Sequence, residues 1–219
     1  MNYIRHKGHS ILLVKNDIPE DLQMTGDIAI DTEAMGLSFA RDRLCVVQLC
    51  DENRQICLIQ FDKDQNYEAP NLKKLLCDTN RTMIFHFARF DLAIIQHYLG
   101  INIKQVFCTK IASRMARTYT ESHSLRELCR ELLGIQISKQ QQTSDWGKDN
   151  LSKEQIAYAA NDVLYLHEIR KILSEMLIRE NRTDLTHDIF QSLKWRIKLD
   201  LMGWHNNDIF AYSEKNKQI

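Results

Sequence analysis

Four short apolar runs crowd into the first sixty residues, and they constrain the fold more than any other feature. They are Ile11–Val14, Asp27–Asp31, Leu44–Cys50 and Ile56–Ile59. Each has strand length and is rich in β-branched or aliphatic side chains. Asp51–Arg54, between the last two, suits a hairpin turn. Beyond them the chain carries helix punctuation instead. A helix from Asn71 to Cys77 leads to a strand over Thr82–Phe85, and an amphipathic segment from Phe90 to Leu99 stops at Gly100. Ser124 with Glu127 makes a capping box for a helix through Leu133, closed by Gly134. Ser152 with Gln155 makes a second, opening a long helix toward Leu177, and a last helix runs from about Asp184 to Met202. Strands first, then alternation, then helices predicts an α/β fold: a mixed central sheet flanked by helices.

The bulk properties narrow the function. Lys plus Arg equals Asp plus Glu at 29 each, whereas proteins that grip long nucleic acid through many phosphates carry a basic excess. A nucleic-acid substrate is therefore expected to be short, or met by a local patch. No C-x-x-C pair occurs among the six cysteines, which argues against a zinc ribbon or a thioredoxin-like motif. The opening residues lack an apolar signal core and no run has membrane-spanning length. The expectation is a cytoplasmic protein, away from membranes, with reduced and buried thiols.

Three acidic patterns stand out. Asp31-x-Glu33 ends a strand, where residues i and i+2 point to one face. Taken alone, it also fits a strand leaving the core into a polar turn. Asp91 opens an amphipathic helix after a buried-looking strand, where it also fits a carboxylate complementing the helix dipole. Tyr158 and Asp162 share one helix face at i, i+4, with Val163, Leu164 and Leu166 beside them. That pair also fits a hydrogen bond at the edge of the core. Together these acids can converge only if something cancels their repulsion, and hard divalent cations with oxygen ligands do so, Mg²⁺ or Mn²⁺ fitting best.

Asp31-x-Glu33, Asp91 within His-Phe-Ala-Arg-Phe-Asp, and Tyr158-x-x-x-Asp162 resemble, in order, spacing and context, the DEDD 3′–5′ exonucleases of the tyrosine subclass. Ala157 stands where the histidine subclass would place its histidine, and Ser144-Asp-Trp146 is similar to the ribonuclease D branch. The resemblance covers roughly residues 10–175. It implies the ribonuclease H-like fold of those exonucleases, two divalent metal ions held by Asp31, Glu33, Asp91 and Asp162, and a Tyr158 that orients the attacking water. With so few residues after Asp162, no HRDC domain is expected. The layout with Thr109–Arg117 and Ser138–Trp146 resembles the short ribonuclease D-like enzymes called nanoRNase C. These are implied to cleave very short oligoribonucleotides, dinucleotides above all, as homo-octamers. The expected organisation is an exonuclease domain over residues 1–178 and a C-terminal helical extension over 179–219, packed on the domain and at an oligomer interface.

Candidate substrate contacts are Met35, Gly36 and Leu37, where an apolar side chain would wedge against bases unless the segment is an ordinary turn, and His86 and Arg89, which would meet a phosphate, with His86 equally suited to be a hydrogen-bonded histidine at the core edge. Lys139, Gln142 and Trp146 lie in a polar loop, with Trp146 either a stacking platform or a core anchor. Lys110, Arg114 and Arg117 form a basic helix stripe, which is solvated surface or lines a substrate path. Trp204, Phe210 and Tyr212 near the chain end suggest a covered surface, since interfaces favour aromatics. Two rival readings remain: an exonuclease for longer RNA or DNA, and a non-catalytic binding module on the same fold.

Overall fold

The computed structural model describes residues 2–38, 41–138 and 140–211. Seven strands form one mixed sheet in the order β1-β2-β5-β4-β3-β6-β7. They are β1 (Asn2–His6), β2 (His9–Lys15), β3 (Ile28–Ala34), β4 (Leu44–Cys50), β5 (Ile56–Gln60), β6 (Met83–Phe85) and β7 (Val106–Cys108). The β1–β2, β4–β5 and β3–β4 pairs are antiparallel, while β2–β5, β3–β6 and β6–β7 are parallel. Every residue of β4 and β5 is buried, as expected of strands covered by helices on both faces. Strand β1 escaped the sequence reading. Its hairpin turns at Lys7 and Gly8, both with positive φ, the backbone that a two-residue hairpin loop requires.

Helices α1 (Pro70–Leu76), α2 (Ala88–Leu99), α3 (Thr109–Ala116), α4 (Leu125–Leu133), α5 (Lys153–Leu164), α6 (Leu166–Arg179) and α7 (Thr183–Leu199) cover the sheet. The capping box at Ser152 and Gln155 is complete. At α4 only half forms: Ser124 accepts the Glu127 N–H while the Glu127 carboxylate pairs with Arg130. The long helix expected from Ser152 to Leu177 is two. It breaks at Tyr165, so that α5 lies against β3, β4 and β5 while α6 packs on α3, α4 and β6. One straight rod cannot follow both surfaces. The last helix also ends early, at Leu199, in a wide π-type turn over Asp200–Trp204. Buried Asp200 fixes that turn through two bonds each from Arg89 and Arg196.

The basic stripe loses one member, Arg117. Arg117 lies just past α3 with no exposed surface, bonded to Ser113, the Ser122 carbonyl and Glu131. It ties α3 to α4 instead of facing solvent, because the chain leaves the helix there and turns the side chain inward. Five cysteines are buried and free as expected, whereas Cys77, at the end of α1, is exposed. Tyr212 and the residues after it, like Lys139, lie outside the described residues. Among the described residues no helix is long and apolar enough to cross a membrane.

Candidate active site

Strands β3, β6 and β7 run parallel, so their carboxyl ends open on one edge of the sheet, the place where α/β folds collect ligands. Asp31, Thr32 and Glu33 come from the end of β3. The two-residue link His86–Phe87 after β6 leads straight into α2, which places Asp91 in its first turn. Lys110 stands at the start of α3, directly after β7. Across the sheet face, α5 brings Tyr158 and Asp162. A bulge after Glu33, where β4 passes an extra residue, bends the end of the β3–β4 ladder at this point.

These elements enclose a cavity of about 380 Å³ that all five residues of the acidic pattern line. Asp31, Glu33 and Asp162 each offer a carboxylate oxygen, and those oxygens lie within 4.8 Å of one another. Asp91 belongs to the same cavity but is tied down separately, its Oδ1 accepting the Thr32 hydroxyl at 2.6 Å. The donor set is all carboxylate, which suits Mg²⁺ or Mn²⁺ rather than zinc.

The electrostatics state how badly this cluster needs a counter-charge. Burial raises Asp31 well above the carboxylate range, and the Asp91, Asp162 and Glu33 charges push it further. Glu33 is pushed up to about 9 by burial, then by Asp162 and Asp91. Asp91 is raised to about 7 by burial, the Thr32 hydroxyl opposing. Asp162 is raised to about 7 by burial, the Tyr158 hydroxyl opposing. The Tyr158 phenol moves up, first by burial and then by the Asp162, Glu33 and Asp31 charges, so it is no base at neutral pH.

The proposed substrate contacts divide. Leu37 is 82% exposed and borders the cavity, and Gln142 lines it. Gly36 has a steric reason: a Cβ there would stand 2.3 Å from the Asp42 carboxylate, which accepts the Ser38 N–H. Met35 leans instead toward Gly147, its Sδ 3.3 Å from where a Cβ of that glycine would stand. His86 lines the cavity as a largely buried, uncharged ring. Burial and nearby Lys110 depress it to about 3, so it is neutral. Thr109 gives its hydroxyl proton to the Phe85 carbonyl, so His86 Nδ1 must be the donor to Thr109 Oγ1, and Nε2 is left as an acceptor. Arg89 is turned away, bidentate on Asp200, and lines a neighbouring cavity of about 720 Å³ that Asp31, Glu33, Asp91 and Asp162 do not line. Trp146 is 2% exposed and packs its ring 6.1 Å from that of Tyr158, so it anchors the core under the tyrosine and offers no stacking face.

Sequence reasoning missed Thr32, Ser124, Leu125, Arg126, Ile137 and Ser138, which also line the acidic cavity. Thr32 was readable from its place between two acids. The others come from segments whose approach to the site is set by tertiary packing.

A 3′–5′ exonuclease family model matches residues 14–178. The chain belongs to that family. Ribonuclease D of Gluconacetobacter diazotrophicus is 33% identical over 172 residues, 76% of this chain and 42% of that protein. The chain thus spans a quarter to under half the length of the first curated relatives it matches. Among solved structures, Brucella melitensis NrnC bound to pGG is 48% identical with a TM-score of 0.89, covering 94% of this chain and 100% of that one. The same protein with bound Mg²⁺ has a TM-score of 0.87. Escherichia coli RNase D, at 24% identity and a TM-score of 0.69 over 78% of this chain and 44% of that one, shares the fold. The chain is thus similar along its length to NrnC, and its ribonuclease H-like sheet is the one expected from the motifs.

Proposed function

We propose that this chain is a metal-dependent 3′–5′ exoribonuclease that hydrolyses short oligoribonucleotides, dinucleotides above all, to nucleoside 5′-monophosphates. The observation that carries this reading is the convergence of Asp31, Glu33 and Asp162 within 4.8 Å, with Asp91 in the same cavity. The likeness to NrnC structures bound to pGG and to Mg²⁺ supports both a short substrate and a divalent ion. Asp31, Glu33 and Asp162, together with Asp91, would hold two divalent ions. A pair of Mg²⁺ or Mn²⁺ ions supplies, when bound, acidification of the attacking water and stabilisation of the departing 3′ oxygen.

The chain's own residues do the rest. The Tyr158 hydroxyl, whose pKa is raised by burial and then by the acids around it, keeps its proton and orients the water. Lys110 and Arg126 line the cavity and bring positive charge to a phosphate. Neutral His86 offers Nε2 as an acceptor for a sugar hydroxyl, a contact that favours ribose. Leu37 stands at the rim as an apolar wedge against a base. Small size of the cavity fits a short chain end better than a duplex. Exposed Trp195, Met202, Trp204 and Phe210 support a homo-oligomer, an octamer by the resemblance, with this apolar surface covered by neighbouring subunits.

End-labelled ribodinucleotide, heptanucleotide and double-stranded DNA, turned over in parallel, test the substrate. The dinucleotide should be cleaved fastest, and a preference for the duplex would overturn the length claim. EDTA should abolish turnover, Mg²⁺ or Mn²⁺ should restore it, and Asp31→Asn should abolish it in a folded protein. Full activity in chelator would sink the two-metal reading.

A further inference from the structure

Gln48 is a buried polar side chain that the proposed chemistry leaves unused. It lies in the middle of β4 with no exposed surface, and neither its Oε1 nor its Nε2 has a hydrogen-bond partner among the described residues. Buried side-chain amides are almost always bonded, so an orphan of this kind calls for a reason. The strand register supplies one. Gln48 stands directly opposite Asp31 in the antiparallel β3–β4 ladder. Opposed residues put their side chains on the same face, with Cβ atoms about 4.5–5.5 Å apart. On its other flank Gln48 faces Leu58 of β5, which in turn faces Leu13 of β2. Across the sheet the row therefore reads Leu13, Leu58, Gln48, Asp31. The amide sits where the apolar row meets the carboxylate cluster, and Asp31 is its one polar neighbour in the row.

We propose that Gln48 is a positioning residue, whose amide N–H donates to the Asp31 carboxylate and fixes the direction in which its oxygens face the metal site. The inference rests on the metal-binding reading of the cavity. The chemistry of the pair is one-sided: an ionised carboxylate only accepts, and a carboxamide brings two N–H donors. In this structure the two groups are cross-strand neighbours that are not hydrogen-bonded, and the proposed bond forms when the amide turns toward the carboxylate. A neutral donor is also the right type here. A lysine or arginine opposite Asp31 would orient it equally well but would cancel the charge that a cation needs. Hydrogen-bond partners behind metal-ligating carboxylates orient them and commonly change metal affinity 10–100-fold.

The test is Mn²⁺ titration followed by the EPR signal of the free ion, on wild type, Gln48→Met and Asp31→Asn. Methionine matches the length and removes the unpartnered amide. Gln48→Met should keep or raise the melting temperature in EDTA, yet bind Mn²⁺ about tenfold more weakly or worse. A purely structural glutamine would move the melting temperature and leave the affinity alone. An affinity within twofold of wild type overturns the proposal while leaving the metal site standing. Wild type that binds no Mn²⁺, or Asp31→Asn that binds as wild type does, overturns the metal reading and this inference with it. Should Gln48→Met fail to fold, a crystal structure of wild type with Mn²⁺ decides: Nε2 within hydrogen-bond distance of the Asp31 carboxylate supports the role, and an amide beyond 4 Å refutes it.

Discussion

Chelation should make the stability of this protein fall as pH rises across the neutral range, opposite to the behaviour of a protein whose carboxylates are held by salt bridges. Glu33 is pushed from 4.5 to about 9, and Asp31 is raised well above its ordinary value. The sign follows from proton counting. Between the unfolded and folded pKa the native state holds a proton that the unfolded state has lost, so raising the pH favours unfolding. From pH 7 to pH 8.5 Glu33 alone removes about 2 kcal/mol, a shift of roughly 4–8 °C in melting temperature for a chain of this size. Asp31 adds to that. His9, His86 and His123, all depressed, oppose this slope only weakly, since an unfolded imidazole is already mostly neutral above pH 7. Buried thiols such as Cys50 and Cys57, raised to about 12, act near the top of the window but equally with and without metal. In saturating Mg²⁺ the carboxylates are ionised in both states, the slope disappears, and binding at a hundred times its dissociation constant adds about 3 kcal/mol. Scanning calorimetry of wild type and Glu33→Gln, in EDTA and in Mg²⁺, reads all of this. Equal slopes in the two buffers, or a wild-type slope in EDTA no steeper than that of Glu33→Gln, would refute the reasoning.

Tyr158→Phe keeps the ring against Trp146 and removes only the hydroxyl. Single-turnover rates should fall about a hundredfold with substrate affinity largely kept, and unchanged rates would make the tyrosine structural. Asp200→Asn withdraws the buried anion from Arg89 and Arg196, whose side chains are about a third and a quarter exposed. It should cost about 3 kcal/mol in urea unfolding, the low end for a broken buried pair, without changing Mn²⁺ affinity. Light scattering at micromolar concentration should find an oligomer that weakens when residues 204–219 are removed. A monomer of one-chain mass would refute the assembly while leaving the chemistry untouched.

Local signals carried much of the fold. Leu44–Cys50 and Ile56–Ile59 read as strands because they are buried on both faces and therefore apolar throughout. Gly100 and Gly134 marked helix ends because both adopt the left-handed backbone there. Where the reading failed, tertiary packing decided. Nothing local breaks the helix at Tyr165. The break exists because α5 and α6 follow different surfaces. Strand β7 is three residues long and is defined by its pairing with β6. Arg117 looked like one more exposed cation at helical spacing, and only its place past the end of α3 turns it inward.

The same division runs through the site, and it explains which residues a sequence reveals. An acid beside aliphatic neighbours advertises a cost, since burying its charge demands a partner, and several such acids demand a common one. Asp31, Glu33, Asp91 and Asp162 were legible for that reason. Neutral polar residues advertise nothing. Gln48 in Leu-Cys-Val-Val-Gln-Leu-Cys reads as one polar position in a strand, and its meaning lies in a register that pairs it with Asp31 seventeen residues earlier. Arg89 misled in the opposite sense: two residues from Asp91, it seemed placed for a phosphate, yet Asp200, more than a hundred residues on, holds it. A cation is informative only once its counter-ion is known, whereas a cluster of buried anions already implies the cation that must join it.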